Sequence, residues 1–312
     1  MSDTGIFWIR DDFRIENNPA LSFATQNHDN VIALFIYNNK NFDNQTEAQK
    51  WWVSKSLEIF KTDLKKYNIN LQIVKGDELE IFSKIKKKDD LSIYWNKVYE
   101  PDVIAKGKKI RDIFLKNEIN FKYFKGNILN EFQEVTKNDG TPFKVFTPFW
   151  RAALKQPAPP QPQPVPLLTS PDEWPQSDAL NSWQLCPKTP NWAQGWEELW
   201  SPGEAGASRA LRTFLDSHVD SYGDGRDFPA QPNTSRLSPY LKFGEISPRQ
   251  IWWTAQNTKQ SNPDEGSSID KFLSEIGWRE FCNHLVAQFP AMPDKAWNPK
   301  FEYFPWQSHQ RN

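Results

Sequence analysis

Cysteine, histidine, glycine and long apolar runs are all scarce in this 312-residue chain. Two cysteines, Cys186 and Cys282, are too few for a disulfide framework and show no metal-ligand spacing. Their number points to a reducing cytoplasm. The four histidines are scattered, so no zinc or other metal site is expected. No apolar stretch reaches membrane-spanning length, and Met1-Ser2-Asp3-Thr4 lacks the charged-then-apolar start of a secretion signal. With 13 glycines there is neither a GxGxxG nor a P-loop, which excludes the usual dinucleotide and nucleoside triphosphate signatures. A net charge of −1 carries no overall basic character, so any nucleic-acid contact has to come from a local patch.

Aromatics, by contrast, make up 14% of the residues, with 15 tryptophans among them. Such an excess suits core packing, ring stacking or the movement of electrons between rings. The first 150 residues alternate short apolar runs (6–9, 31–37, 71–74, 91–94 and 121–123) with helical patterns (48–67, 78–87 and 101–116). That alternation predicts an α/β fold with a doubly wound, five-stranded parallel sheet. Residues 156–166 are mostly Pro and Gln and read as an extended linker. Helical patterns follow at 205–217, 239–243, 248–256 and 269–289. Three units are therefore expected: a sheet domain over 1–150, a linker over 151–203 and a helical region over 204–312. Of 27 lysines 20 lie before residue 151, and of 24 prolines only 4 do. The shift marks either a change of domain or a join between two coding histories near residues 149–157.

Two segments carry chemistry. Thr234 and Ser235 stand where a helix is expected to begin, with Arg236 just inside it, an arrangement suited to a phosphate or another anion. Glu275, Trp278 and Arg279 lie at i, i+3 and i+4, which predicts one helical face bearing a carboxylate, a flat ring and a cation. Such a face suits a planar, partly charged heteroaromatic ligand. In order and spacing, these segments closely resemble the flavin-binding half of the DNA photolyase and cryptochrome family, over residues 200–306. The segments that carry the likeness are Tyr222, Arg226-Asp227-Phe228-Pro229, Thr234-Ser235-Arg236-Leu237-Ser238-Pro239-Tyr240-Leu241-Lys242-Phe243-Gly244 and Glu275-Ile276-Gly277-Trp278-Arg279-Glu280-Phe281. Phe7-Trp8-Ile9-Arg10-Asp11-Asp12-Phe13-Arg14-Ile15 with Asn17-Asn18-Pro19-Ala20-Leu21 is similar to the family's first strand and the loop after it. Asn96-Lys97-Val98-Tyr99-Glu100-Pro101 is similar to the segment following its fourth strand, and Lys144-Val145-Phe146-Thr147-Pro148-Phe149-Trp150 to the end of its first domain.

The resemblance implies an all-α FAD-binding region after the linker, incomplete here, and light-driven repair of cyclobutane pyrimidine dimers by a class I photolyase. FAD contacts would come from Tyr222, Thr234, Ser235, Arg236, Leu237, Ser238, Phe272, Glu275 and Arg279. Glu275 and Trp278 would meet the flipped dimer, and Arg226 and Arg279 would meet UV-damaged DNA. For Arg226, a structural ion pair with Asp227 or Asp224 competes with that role. Trp306 corresponds to an outer electron-transfer tryptophan. Asp102 and Val103 stand where folate-antenna relatives carry Asn and Glu, so folate is not expected and any second chromophore stays unassigned. A monomer is expected. The family continues past the equivalent of Asn312, so a truncated member is implied. On that expectation the sheet domain folds, FAD is bound weakly or not at all, and Phe272, Ile276, Phe281, Leu285 and Phe289 form an exposed apolar patch. The alternatives are a cryptochrome-like photoreceptor and a non-catalytic fragment.

Overall fold

Five runs rich in β-branched and aromatic residues build one parallel sheet: β1 (Thr4–Ile9), β2 (Asn30–Tyr37), β3 (Asn70–Lys75), β4 (Leu91–Asn96) and β5 (Asn120–Phe124). Their order is β3-β2-β1-β4-β5, the doubly wound arrangement expected from the sequence. Every residue of β1, β2 and β4 is buried, because helices cover both faces of the sheet. The computed structural model describes residues 4–38, 45–84, 91–161, 177–228, 230–292 and 294–305.

The connecting helices are α1 (Pro19–Asn27), α2 (Glu47–Lys65), α3 (Glu78–Ser83) and α4 (Pro101–Lys116). Thr46 and Gln49 close a capping box at the start of α2. Pro101 opens α4, where its missing N–H costs nothing. One correction concerns residues 17–21, expected as a loop. Asn18 accepts a hydrogen bond from the Leu21 amide and Pro19 follows it, so α1 begins there. The end of the helix expected at 78–87 lies outside the described residues.

After β5 come α5 (Phe146–Ala153), α6 (Trp196–Leu199), α7 (Glu204–Ser217), α8 (Tyr222–Gly225), α9 (Ser238–Lys242), α10 (Pro248–Ser261) and α11 (Gly266–Gln288). Residues 156–161 of the Pro/Gln stretch lie along α10, where Trp253 Nε1 donates to the Pro159 carbonyl (2.9 Å); residues 162–166 lie outside the described residues. Asp178 N donates to the Ile73 carbonyl (2.8 Å) and Ile73 N to Ser177 Oγ (3.1 Å), so this segment runs beside the β3 edge. Trp183 and Leu185 are buried next to it.

The helical layer sits directly on the sheet layer. One core cluster runs from Phe7 and Phe35 through Leu211 and Phe214 to Phe272 and Ile276. A second, around Phe149 and Phe281, ties α5 to α11. These contacts overturn the expected exposed patch. Phe272, Ile276 and Phe281 are buried, and Leu285 packs against the Phe149 cluster. The partners that remove them from water, Phe149 and Phe214, lie within this chain. Gly277 is needed where it stands, since a Cβ there would approach the Trp150 ring to 2.6 Å.

Candidate functional site

In a sheet of this order the chain reverses direction between β1 and β4, and a crevice opens at their carboxyl ends. The residues after β1 supply Asp11, and those after β4 supply Lys97, Val98, Tyr99 and Glu100. Buried hydrogen bonds fix these loops. Asp12 accepts from the Arg10 amide (2.8 Å) and from Asn96 Nδ2 (2.7 Å), while Asn96 also donates to Asn18 (2.7 Å). Facing them are the loop before α9, with α9 itself, and the long helix α11. Between them lies a cavity of about 690 Å³.

Nine residues singled out from the sequence line this cavity: Tyr222, Thr234, Ser235, Arg236, Leu237, Ser238, Phe272, Glu275 and Arg279. Phe272 and Tyr222 are held by Phe214, with ring centroids 4.7 and 5.2 Å from it. Along α11, Glu275, Arg279 and Asn283 follow at i, i+4 and i+8 and present one polar stripe to the cavity, with Ile276 beside it. Asn283, Lys242 and Asp11 also line the wall and were missed. Asp11 and Lys242 lie within segments that carry the family likeness but were given no site role there; Asn283 is one turn beyond Arg279 on the same helix.

Three placements correct the sequence reading. Helix α9 begins at Ser238, so Thr234, Ser235 and Arg236 precede it rather than opening it. Arg236 has φ 52°, a left-handed conformation that ends any regular helix at that point. Trp278 does not share the cavity face with Glu275 and Arg279. One residue ahead of Arg279, it turns about 100° away around the helix axis and stacks on Phe146 at 3.8 Å between centroids and 11° between planes. Its outer side remains 45% exposed. Finally, Arg226 is tied chiefly to Glu275 through Nη1, with Asp227 only a secondary partner at 3.5 Å. Trp306 lies outside the described residues.

The cations around the cavity divide into paired and available. Lys242 bridges Glu100 (2.9 Å) and Asp11 (3.8 Å), and Lys97 binds Glu131 (2.9 Å). Arg279 donates to the Asn127 carbonyl (2.6 Å) and approaches Glu280 at 3.5 Å; burial lowers the pKa of its guanidinium. The Arg236 guanidinium lies over the Trp200 ring at 4.2 Å. Burial raises the Tyr222 phenol, and the nearby Glu275 adds to the effect. The result is a cavity with one apolar wall, a hydroxyl-bearing loop and two arginines, of which Arg279 pairs with Glu280 and Arg236 has no ion pair among the described residues. It can take a ligand that is flat and apolar at one end and anionic at the other.

A second cavity of about 330 Å³ lies on the other side of the same loops, lined by Trp8, Phe35, Gln49, Asp102 and Val103 among others. Asp11, Val98, Glu100 and Lys242 line both cavities. Among the described residues no helix is long and apolar enough to cross a membrane, and no group of three or more His, Cys, Asp or Glu could hold a metal.

The chain as a whole resembles known proteins. The DNA photolyase profile matches residues 5–166. A deoxyribodipyrimidine photo-lyase of Agrobacterium fabrum is 35% identical over 98% of this chain, which spans 64% of that protein's length. Cryptochrome-1 of Arabidopsis thaliana is 27% identical over 96% of the chain, covering 46% of its own length. The crystal structure of a bacterial class III photolyase from Agrobacterium tumefaciens superposes with a TM-score of 0.91 at 34% identity, over 100% of this chain and 64% of that one.

Proposed function

The chain belongs to the DNA photolyase family, and on that premise we propose that it binds FAD in the 690 Å³ cavity and serves light-driven repair of pyrimidine dimers in DNA. The observation that carries the reading is the convergence of nine residues from three segments of the chain, Tyr222, 234–238 and 272–279, on one cavity. The volume falls in the range of small-molecule and cofactor sites. Phe272, Ile276 and Leu241 offer an apolar wall, while Thr234, Ser235 and Ser238 bring hydroxyls. Arg236 and Arg279 supply positive charge for a diphosphate. The donor set therefore fits a flavin dinucleotide. When bound, the flavin would supply the light-driven electron; the chain's own residues bind, orient and exclude water.

In this reading Glu275 faces the substrate side and steadies charge through a charge-assisted hydrogen bond. Trp278, exposed and already stacked on Phe146, offers an aromatic platform outside the cavity to a base taken out of the duplex. Arg226 holds Glu275 in place and reaches toward a DNA phosphate without reading sequence. The similarity to a class III photolyase favours that class over class I. The second cavity, with Trp8 and Phe35 in its wall, supports a second planar chromophore. Asp102, where folate-binding relatives carry Asn, argues against folate. The protein works as a monomer in the cytoplasm, without a metal.

One observation favours a second reading, a photoreceptor of the cryptochrome kind: the Glu275 carboxylate is already engaged by Arg226. Two measurements decide. The purified protein should absorb in the blue through bound oxidised flavin; a colourless protein that stays colourless on adding FAD refutes the site. Light-dependent loss of dimers from irradiated DNA should fall on Glu275→Ala while flavin stays bound, by about 1.5–3 kcal/mol in apparent barrier. Flavin binding with no repair in the unmodified protein selects the photoreceptor.

A further inference from the structure

The start of the Pro/Gln stretch, expected as a linker, is seated on the protein rather than free of it. In residues 156–161, Gln-Pro-Ala-Pro-Pro-Gln, every position is a proline or precedes one. Proline fixes φ at about −65°, and the residue before it is pushed to an extended backbone. The run is therefore held in polyproline II, with about three residues per turn. Burial follows that period. Ala153, ending α5, is buried; Gln156 and Pro159 are half-buried; Pro157, Ala158, Pro160 and Gln161 are exposed. One edge of the run faces the protein and the other two face water.

What that edge faces is aromatic. Trp150 on α5 and Trp252 on α10 meet edge to face, with centroids 6.3 Å apart and planes at 78°. Together with Leu129, Asn130 and the proline run they line a small space of about 30 Å³. The next residue on α10, Trp253, donates from Nε1 to the Pro159 carbonyl at 2.9 Å. A polyproline II strand has no hydrogen bonds within itself, so its carbonyls are free to accept from outside. Aromatic-lined grooves recognise such strands, because a preformed ridge loses little entropy on docking. A chance surface contact would not match burial to the period of the strand and place an indole donor on a half-buried proline. The seat is not core either, since four of the six residues stay in water. The arrangement is that of a ligand in a surface groove.

We propose that the groove between α5 and α10, walled by Trp150, Trp252 and Trp253, is a receptor for a proline-rich segment, and that residues 156–161 occupy it as a tethered ligand. The occupant is this chain's own run, which the Trp253 hydrogen bond already holds there. Because it continues directly from α5, the run has a roughly millimolar effective concentration at the groove, against which a free segment competes poorly. Docking fastens α10 to the end of α5, the helix whose Trp150 abuts Gly277 of α11. The latch is independent of what the large cavity holds.

The test uses the full chain with its indole nitrogens isotope-labelled for NMR. The Trp253 resonance is identified by its loss in Trp253→Phe. In Pro157→Gly/Pro159→Gly/Pro160→Gly the run loses its preformed shape, and the Trp253 resonance should shift while indoles outside the groove keep theirs. A free peptide with the sequence of residues 155–161 should then restore it, and the same peptide with glycine for its three prolines should not. In the unchanged protein the peptide should have no effect below roughly millimolar concentration. An unmoved Trp253 resonance in the folded variant, or a peptide that fails to restore it, overturns the receptor. A peptide that acts equally on the unchanged protein overturns the tethered occupant. Should the triple variant not fold, Trp253→Phe carries the test, since it removes the indole N–H and keeps an aromatic ring. Trypsin cleavage after Lys155 should then run about three- to tenfold faster, the population change for one lost hydrogen bond. An unchanged cleavage rate overturns the latch.

Discussion

Between one face of the sheet and its covering helices, Ile6, Trp8, Phe82, Ile93 and Phe114 pack as an apolar cluster. The seam beneath the helical layer is built differently: Arg14, Arg249, Glu245 and Glu280 are all buried there. Arg14 donates to the carbonyls of Asn17 (3.0 Å) and Gly244 (2.9 Å) and to Asn127 Oδ1 (2.7 Å). Glu280 accepts from the Leu129 amide (2.7 Å), and Glu204 from those of Ile15 and Glu16 (2.9 Å each). Gly244 sits at φ 62°, where a Cβ would collide with the Asp11 carbonyl, so the backbones meet closely at this point. The contrast separates two tasks. Apolar burial supplies driving force without direction, whereas buried charges favour the relative placement of the layers in which most of their polar atoms meet partners. Here Arg249 Nη2 and Glu280 Oε1 are left without a hydrogen bond among the described residues.

If that contrast holds, truncating a seam charge should cost more than trimming the sheet core. Arg14→Ala strands two carbonyls and an amide oxygen and should lose about 3–5 kcal/mol in chemical denaturation. Ile93→Val, in the sheet, should lose about 1 kcal/mol. Equal losses would erase the distinction.

The seam should also respond to pH where the apolar cluster cannot. Burial raises Glu204, Glu245 and Glu280 to about 7 each. A carboxyl with a raised folded-state pKa contributes stability below its unfolded value, and that contribution is lost as pH rises through about 7. His284, lowered to about 4 by burial, acts the other way: its contribution is present above the unfolded value and lost as pH falls toward 4. Three groups oppose one, so Tm should be higher at pH 6 than at pH 8, and Glu245→Gln should flatten the slope. A Tm that climbs steadily from pH 6 to pH 8 would contradict this account.

The smallest effect is expected at the outer edge of the helical layer. Trp278→Ala removes a stacked pair with Phe146 whose outer side is already in water, and should cost about 1 kcal/mol. A loss as large as that of Arg14→Ala would make the Trp278 stack part of the core.

The sheet was legible because its signals are local: apolar runs of strand length alternating with helical patterns. The cavity lining was legible through the resemblance, which bound together residues far apart in the chain. The seam was not legible, since its partners are remote; Glu204 and Ile15 are 189 residues apart. The rotation of Trp278 off the cavity face was hidden for a different reason. Spacing at i, i+3 and i+4 allows a shared face, but Phe146 offers that ring a better surface. The conformation of Arg236 gave no warning either, because a non-glycine residue at φ 52° leaves no mark in composition.

The wall shared by the two cavities has a thermodynamic consequence. Lys242 stands in it, bound to Glu100 and Asp11, and all three groups face both spaces. An occupant of either space that draws Lys242 from one carboxylate toward the other changes the field met by the second occupant. Binding free energies linked in this way are reciprocal: the factor by which the first ligand alters the affinity for the second equals the factor in the opposite direction. Two small molecules that never touch would thus report on each other through a single ammonium group.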